Sequence, residues 1–326
     1  MERREFIALL VAAMACPEAA AAQKASMPVI GFLSSASHSA SQLLLNDFRK
    51  GLAEAGYEGQ SVTIEYRWAD GRYDVLPALA EDLVSRRVSV IATAGGSTSA
   101  IAASKATATI PIVSIMGSDP VKLGLTASLS RPDKNVTGVA QLLAEAEGKR
   151  LEILHELMPN AKTVGYLANP NNARFREQRA LVEQAASSFD AKVHLLSVTT
   201  KAKISAALTS AARDGIAAVL VAADPFLFIN IDHIVALTAT HSLPAVYFVR
   251  EYVRAGGLIS YGTRLGDALR QTGIYTGRIL SGAKPADLPI VQQSEKIELI
   301  VNLKTARTLG ITVPNSLLLR ADEVVE

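Results

Sequence analysis

A chain of 326 residues is long enough for two domains of ordinary size, with one large domain left open. With 49% hydrophobic residues, 20% charged residues and a formal charge of +2, the composition excludes a disordered chain, a collagen-like repeat and a polybasic nucleic-acid surface. What remains is a soluble globular protein.

The chain opens "MERREFIALLVAAMACPEAAAAQKASMP": two arginines, an apolar run from Phe6 to Ala15, then small residues, the pattern of a secretory signal over residues 1–22. The run of about ten residues is well short of the roughly 20 that a spanning helix requires. An A-x-A site at Ala20–Ala22 leaves Gln23 as the new N-terminus. Cleavage there removes two Arg and three Glu and takes the formal charge from +2 to +3. Arg3 and Arg4 fit a twin-arginine export signal as well as ordinary secretion, and the two routes stay open. Cys16, the only cysteine, lies in this segment, and Ala13 stands where a lipidation motif favours Leu. A chain beginning at Gln23 has no disulfide, no thiol nucleophile and no thiolate metal ligand.

Beyond the signal, short apolar runs alternate with helical patterns, the signature of βαβ units on parallel sheets. "PVIGFL" ending at Leu33 predicts a strand, followed by a helix with Leu44, Phe48, Leu52 and Ala55 on one face and Gly56 as its stop. "VTIEYRW" predicts a second strand, followed by a helical stripe of Leu76, Leu79, Ala80 and Leu83. "VSVIATA", "IPIVSIM" and "NVTGVA" predict three more strands, with a helix opening after the fourth at "GSDPVKLGL". A second series then begins with a helix carrying Leu151, Leu154, Leu157 and Met158. Strands follow at 163–168, 192–198, 217–223, 245–249 and 257–262. Residues 265–282 read as one helix, "PADLPIVQQ" as a linker and "KIELIVNLK" as a strand, too little for a third core.

The expected fold is therefore α/β: two Rossmann-like lobes, each a parallel sheet flanked by helices, joined by about three hinge crossings. The N-terminal lobe takes residues 27–139 plus 263–294 and the C-terminal lobe residues 140–262 plus 295–326. In such open sheets ligands bind at the C-terminal strand ends.

In the first lobe those ends hold Ser34 and Ser35, Gly95–Ser99 with Gly96 and Ser97, and Gly117–Pro120 with Ser118 and Asp119. Small hydroxylated residues before a helix suit a carboxylate, because the first N–H groups of a helix lack partners. Asp119-Pro120 and Asp224-Pro225 read equally as helix N-caps. In the second lobe the ends hold Asn169–Asn171, Asp224 beside Phe226, and Glu251 after the fourth strand. A carboxylate next to an aromatic side chain suits an ammonium group attached to an apolar moiety. Together the ends suggest a clamp for a zwitterion, with Asp224 or Glu251 taking the amine. Trp68 either stacks on a ligand ring or packs under its own loop, and Tyr247 is weighed between cleft and core.

Catalytic motifs are missing. His38, His155, His194, His233 and His241 show no metal spacing, Gly95–Ser99 lacks the last glycine of a nucleophile elbow, and no phosphate-loop pattern follows a strand. The place where a repressor of this architecture carries a helix-turn-helix holds the export signal.

The stretches "RREFIALL", "MPVIGFLSSAS", "FRKGLAEAGY", "IEYRWADGRYDVLPALAEDLV", "IPIVSIMGSDPVKLGL", "NVTGV", "AADPF", "AGGLISYG" and "LIVNLKTARTLGI" carry a resemblance over essentially the whole chain. The chain resembles the extracytoplasmic solute-binding proteins of ABC transporters, in the tryptophan/tyrosine-uptake-like branch. The resemblance implies a type I periplasmic binding fold without catalysis or cofactor. It implies a monomer that binds a small ligand between its lobes, an aromatic or branched amino acid, and delivers it to a membrane permease driven by a separate ATPase. The alternatives are an aromatic carboxylic acid without an amine, and a periplasmic enzyme or sensor core on the same fold. Carried over position by position, the pocket falls on Ser34, Ser35, Gly96, Ser97, Ser118, Asp119, Asp224 and Glu251. Two departures stand out: the turn "GYEGQS" is one residue short, and Asp133-Lys134 replace common glycines at a position expected near a hinge.

Overall fold

A computed structural model describes residues 27–59, 61–141, 144–292 and 297–326; the segment expected to be an export signal, residues 1–22, and the crossing expected near Gln293 lie outside the described residues. The first sheet runs in the order β11-β5-β4-β3-β1-β2, with β1 at Val29–Ser34, β2 at Thr63–Trp68, β3 at Val90–Ala94, β4 at Ile112–Met116, β5 at Val136–Ala140 and β11 at Val291–Gln292. All of its pairings are parallel. Four of these strands are nearly continuous runs of buried residues, as expected for strands covered on both faces.

One face is covered by α1 (His38–Glu54) and α10 (Leu265–Leu280), the other by α2 (Leu76–Ser85) and α3 (Ser97–Ala106). Phe48 and Leu52 of α1 and Ala268, Leu269 and Ile279 of α10 share one core with Ile30, Phe32 and Val113. The two helices meet backbone to backbone. A Cβ on Gly51 would lie 1.9 Å from the Arg270 carbonyl oxygen, and one on Gly273 would lie 2.1 Å from that of Phe48. This contact and the Arg270–Glu54 ion pair bind α10 to the first lobe although it follows 120 residues of the second in sequence.

The second sheet runs β13-β12-β10-β9-β8-β6-β7, with β6 at Thr163–Ala168, β7 at Lys192–Ser197, β8 at Ala218–Val221, β9 at Ala245–Tyr247, β10 at Ile259–Thr263, β12 at Ile297–Asn302 and β13 at Glu323–Val325. Its helices are α4 (Ala144–Leu157), α5 (Phe175–Ser187), α6 (Lys201–Arg213), α7 (Pro225–Phe228), α8 (Ile231–Thr240), α9 (Arg250–Arg254), α11 (Leu303–Thr308) and α12 (Asn315–Arg320). The sheet is parallel except that β12 runs antiparallel to β10.

Three expectations are corrected. The linker "PADLPIVQQ" contains an edge strand, β11, whose two exposed residues pair with β5. The segment after β4 forms only a turn over 120–124, ended by Gly124 at φ +69°, and no helix. Asp133 and Lys134 lie at the N-terminal end of β5, away from the crossing that follows its C-terminal end. Asp133 Oδ1 accepts from Ala127 N and Thr126 Oγ1, and Lys134 Nζ donates to the Gly124 carbonyl, so both tie down the preceding loop. Nearer the crossings, Gln141 Nε2 donates to Thr263 Oγ1 at 3.1 Å and Arg264 pairs with the buried Glu298.

Candidate functional site

Each sheet reverses its strand order once, between β1 and β3 in the first and between β6 and β8 in the second. At such a reversal the two loops leave toward opposite faces and open a crevice at the strand ends. These four loops face one another and line a cavity of about 120 Å³. At roughly 10–15 Å³ for each water-sized site, it has room for on the order of ten heavy atoms, the scale of a single amino acid.

The first lobe contributes hydroxyls and backbone donors. Gly95 and Gly96 have φ of +76° and +84°, which side chains rarely tolerate, and they fold the chain from β3 into the start of α3. Ser97 Oγ accepts from Gly117 N at 3.1 Å and Ser118 N at 3.2 Å, so its own proton is left to donate. Ser34 Oγ accepts from Ala36 N at 3.1 Å and is in the same situation. With the first N–H groups of α3, these make one wall a donor surface for an anion.

The second lobe contributes the charges. Arg174 follows the Asn172 turn, in which Asn172 Oδ1 accepts from Arg174 N at 2.9 Å, and this turn directs its side chain into the cavity. Gly117 of the first lobe makes the room: a Cβ there would lie 3.0 Å from Arg174 Nη1. Arg174 is 5% exposed, and neither its Nε nor its Nη2 has a hydrogen-bond partner among the described residues. Burial lowers its pKa, and the nearby Glu147 opposes this. Glu147 itself is engaged by Arg150, Gln178 and the Ala223 amide.

Asp224 is buried at the N-terminus of α7. Oδ1 accepts from Leu227 N at 3.0 Å, and Oδ2 accepts from Tyr73 Oη and Asn172 Nδ2, each at 2.7 Å. Burial raises its pKa above 3.8, while the hydrogen bonds from Tyr73 and Asn172 pull it back down. All three donors are neutral, and neither Asp224 nor Arg174 belongs to an ion pair among the described residues.

Tyr73 belongs to the first lobe, so its bond to Asp224 crosses the cleft. Tyr73 Oη also accepts from Phe226 N at 3.1 Å. Beside it, a Cβ on Gly71 would lie 2.9 Å from the Phe226 ring, and one on Gly96 would lie 3.7 Å from Pro225. The two lobes are closed on each other. Tyr73→Phe removes the cross-cleft donor and leaves the Phe226 N–H without its acceptor. We expect this to cost the closed state about 1–2 kcal/mol. Ligand affinity should fall roughly five- to thirtyfold by titration calorimetry, and unchanged affinity would mean that the contact does not hold the closed state.

Ser34, Gly96, Ser97 and Asp224 are brought together on the cavity wall. The other candidates stand elsewhere. Ser35 Oγ donates to the Gly95 carbonyl at 2.6 Å and stitches two loops behind the wall. Ser118 is buried beneath Ser97, and Asp119 Oδ1 accepts from Val121 N at 2.8 Å inside its own turn. Phe226 packs between the lobes, and of the two phenylalanines of α7 it is Phe228 that lines the cavity. Trp68 stacks on Tyr66 on the edge strand, beside Phe32 and His38. Tyr247 is buried in the second lobe, bonded to Thr238 at 2.9 Å and stacked on Tyr252. Glu251 sits half-buried in the first turn of α9, off the cavity, its pKa raised by burial.

Sequence reasoning missed Arg174, Asn172, Tyr73, Gln141 and Phe248. Only Asn172 carried a signal, as part of the turn-forming run that follows β6. Among the described residues no three His, Cys, Asp or Glu side chains cluster to hold a metal, and no helix is long and apolar enough to cross a membrane.

A family model described as "ABC transporter substrate binding protein" matches residues 29–325. A tyrosine-binding protein of Clostridioides difficile (strain R20291) is 25% identical over 280 residues, covering 85% of this chain and 80% of the relative. A solved ABC domain from Streptococcus pneumonia in complex with L-Trp is 27% identical with a TM-score of 0.81, covering 92% of this chain and 100% of the other. A ligand-free, open substrate binding protein from Clostridium difficile is 25% identical, covering 91% of this chain and 99% of the other, and its TM-score is 0.60. At nearly equal identity and coverage, the chain superposes better on the L-Trp complex than on the open structure.

Proposed function

Because the chain belongs to the family of ABC transporter substrate-binding proteins, we propose that it is the receptor of an importer for an aromatic or branched α-amino acid. It holds the ligand between two lobes, residues 27–139 with 263–294 and residues 140–262 with 295–326, and passes it to a membrane permease driven by a separate ATPase. Residues 1–22 direct export and are removed, and the receptor works as a monomer outside the cytoplasm.

One observation carries this reading. A buried cation, Arg174, and a buried anion, Asp224, line one cavity, and neither has an ion-pair partner among the described residues. Buried charges are costly unless paired. A zwitterion completes both: its carboxylate meets Arg174, Ser34 and Ser97, and its ammonium meets Asp224, whose Oδ1 accepts only one hydrogen bond and has room for another. Phe32, Leu44, Ile115, Leu269, Phe228 and Phe248 supply the apolar walls for a large side chain. The names of the relatives, one a tyrosine-binding protein and one a complex with L-Trp, support the same class.

Because the polar groups come from both lobes, the ligand contacts the closed state more fully than an open one, and that difference drives closure. A micromolar dissociation constant, about 8 kcal/mol, fits such a receptor. The second reading, an aromatic acid without an amine, is favoured by the three donors that Asp224 already accepts.

A melting panel separates the two. Phenylalanine, tyrosine, tryptophan and leucine are expected to stabilise the protein by about 2.7 kcal/mol at a hundred times the dissociation constant, a rise of roughly 4 °C. Their deaminated acids should give little. Equal shifts from the deaminated acids select the second reading, and no shift from either set rejects both.

A further inference from the structure

On the apolar side of the cavity, Ser41 carries a hydroxyl with no assigned work. Ser41 lies on α1 three and four residues before Leu44 and Leu45, so all three share one face of that helix, and all three line the cavity. Ser41 is 7% exposed, and its hydroxyl has no hydrogen-bond partner among the described residues. Hydroxyls inside helices commonly donate to the carbonyl four residues back. Thr240, Thr272, Thr276 and Thr308 do so in this protein, at 2.8–3.0 Å, and Ser41 does not. The nearby wall, Phe32, Leu45, Leu265 and Leu269, offers a ring no polar contact.

We infer that Ser41 sets ligand specificity: its hydroxyl accepts a hydrogen bond from a donor carried on the ligand's ring, a phenol O–H or an indole N–H. This rests on the amino-acid reading above. The carboxylate and ammonium are common to every amino acid, so discrimination between them has to arise on the side-chain face. A site equipped to hydrogen-bond a ring donor disfavours an analogue that lacks it, because its own polar group is then left unpaired.

Titration calorimetry of the mature protein and its Ser41→Ala variant with L-tyrosine, L-tryptophan, L-phenylalanine and L-leucine tests this. Ser41→Ala is expected to weaken tyrosine or tryptophan, whichever the wild type binds, by about three- to tenfold. Phenylalanine and leucine should change by less than about twofold. An equal loss for all four ligands would assign Ser41 to the shared head group and overturn the inference, as would no loss for any, or a wild type that binds only phenylalanine and leucine. A wild type that binds none of the four fails in the first arm of the experiment and rejects the amino-acid reading itself. The ligand-free melting temperature of the variant shows that it folds.

Discussion

Arg174→Met is expected to abolish most binding of every ligand that carries a carboxylate, amino acids and deaminated acids alike. Arg174 is buried, it lies beside Gly117 across the cleft, and its Nε and Nη2 have no partner among the described residues. Truncating one member of a desolvated charged pair typically costs about 2–4 kcal/mol, so affinity should fall roughly thirty- to several hundredfold. Methionine keeps an unbranched stem of similar reach, which preserves packing under Gly117. Because the substitution removes a buried charge without an ion pair, the ligand-free protein should lose no stability. The checks are titration calorimetry and a melting curve. Unaltered affinity with lowered stability would make Arg174 a structural residue.

Asp224→Asn is expected to affect a different set of ligands. Asparagine keeps one oxygen, which still caps α7 through Leu227 N, but places an amide NH2 where Oδ2 accepted from Tyr73 and Asn172, so the negative charge is lost together with that acceptor. Amine-bearing ligands should weaken by about 1.5–3 kcal/mol, roughly ten- to a hundredfold, and deaminated acids should lose less, only the share that comes from the altered Tyr73 contact. The pH dependence follows from the raised pKa of Asp224. In the window between 3.8 and that raised value, the folded ligand-free protein binds more protons than the unfolded chain. This group's contribution to folding stability therefore grows as pH falls and is lost as pH rises through the window. An ammonium ligand prefers the ionised carboxylate, so its affinity should move the opposite way, rising with pH through the same window and levelling above it. Calorimetry across a pH series should show that rise in the wild type and a flat profile in Asp224→Asn. A wild-type profile as flat as that of the variant would remove Asp224 from contact with the amine.

Much of the fold is legible in the sequence because burial on both faces leaves a simple record. Strands such as "VIGFLS" and "TVGYLA" are continuous apolar runs, and Leu76, Ala80 and Leu83 repeat at helical spacing. The elements misread are those whose partners are distant. β11 is two exposed residues that become a strand only by pairing with β5, some 150 residues earlier. β13 is short and mostly exposed, and the turn after β4 shares with a helix start only its Ser-Asp-Pro opening.

The site divides in the same way. Residues at the strand ends, Ser34, Gly96, Ser97 and Asp224, follow from the rule that ligands meet a sheet where its strand order reverses, because β-strand patterning and Gly-Gly or Asp-Pro loops mark those ends locally. Asp224 shows the limit of that rule, since its sequence reads as an N-cap and its structure makes it a cap and a cross-cleft acceptor at once. The sequence by itself determined two α/β lobes, most of their strands and helices, and small hydroxylated residues at the strand ends of the first. Only the tertiary structure decided that Tyr73 reaches across to Asp224, that Arg174 lies against Gly117 with no ion pair among the described residues, and that Trp68, Tyr247 and Glu251 lie off the cavity wall. The reason is that periodicity records which face of an element is buried. What a buried side chain meets depends on how two lobes, folded from separate stretches of chain, close on each other.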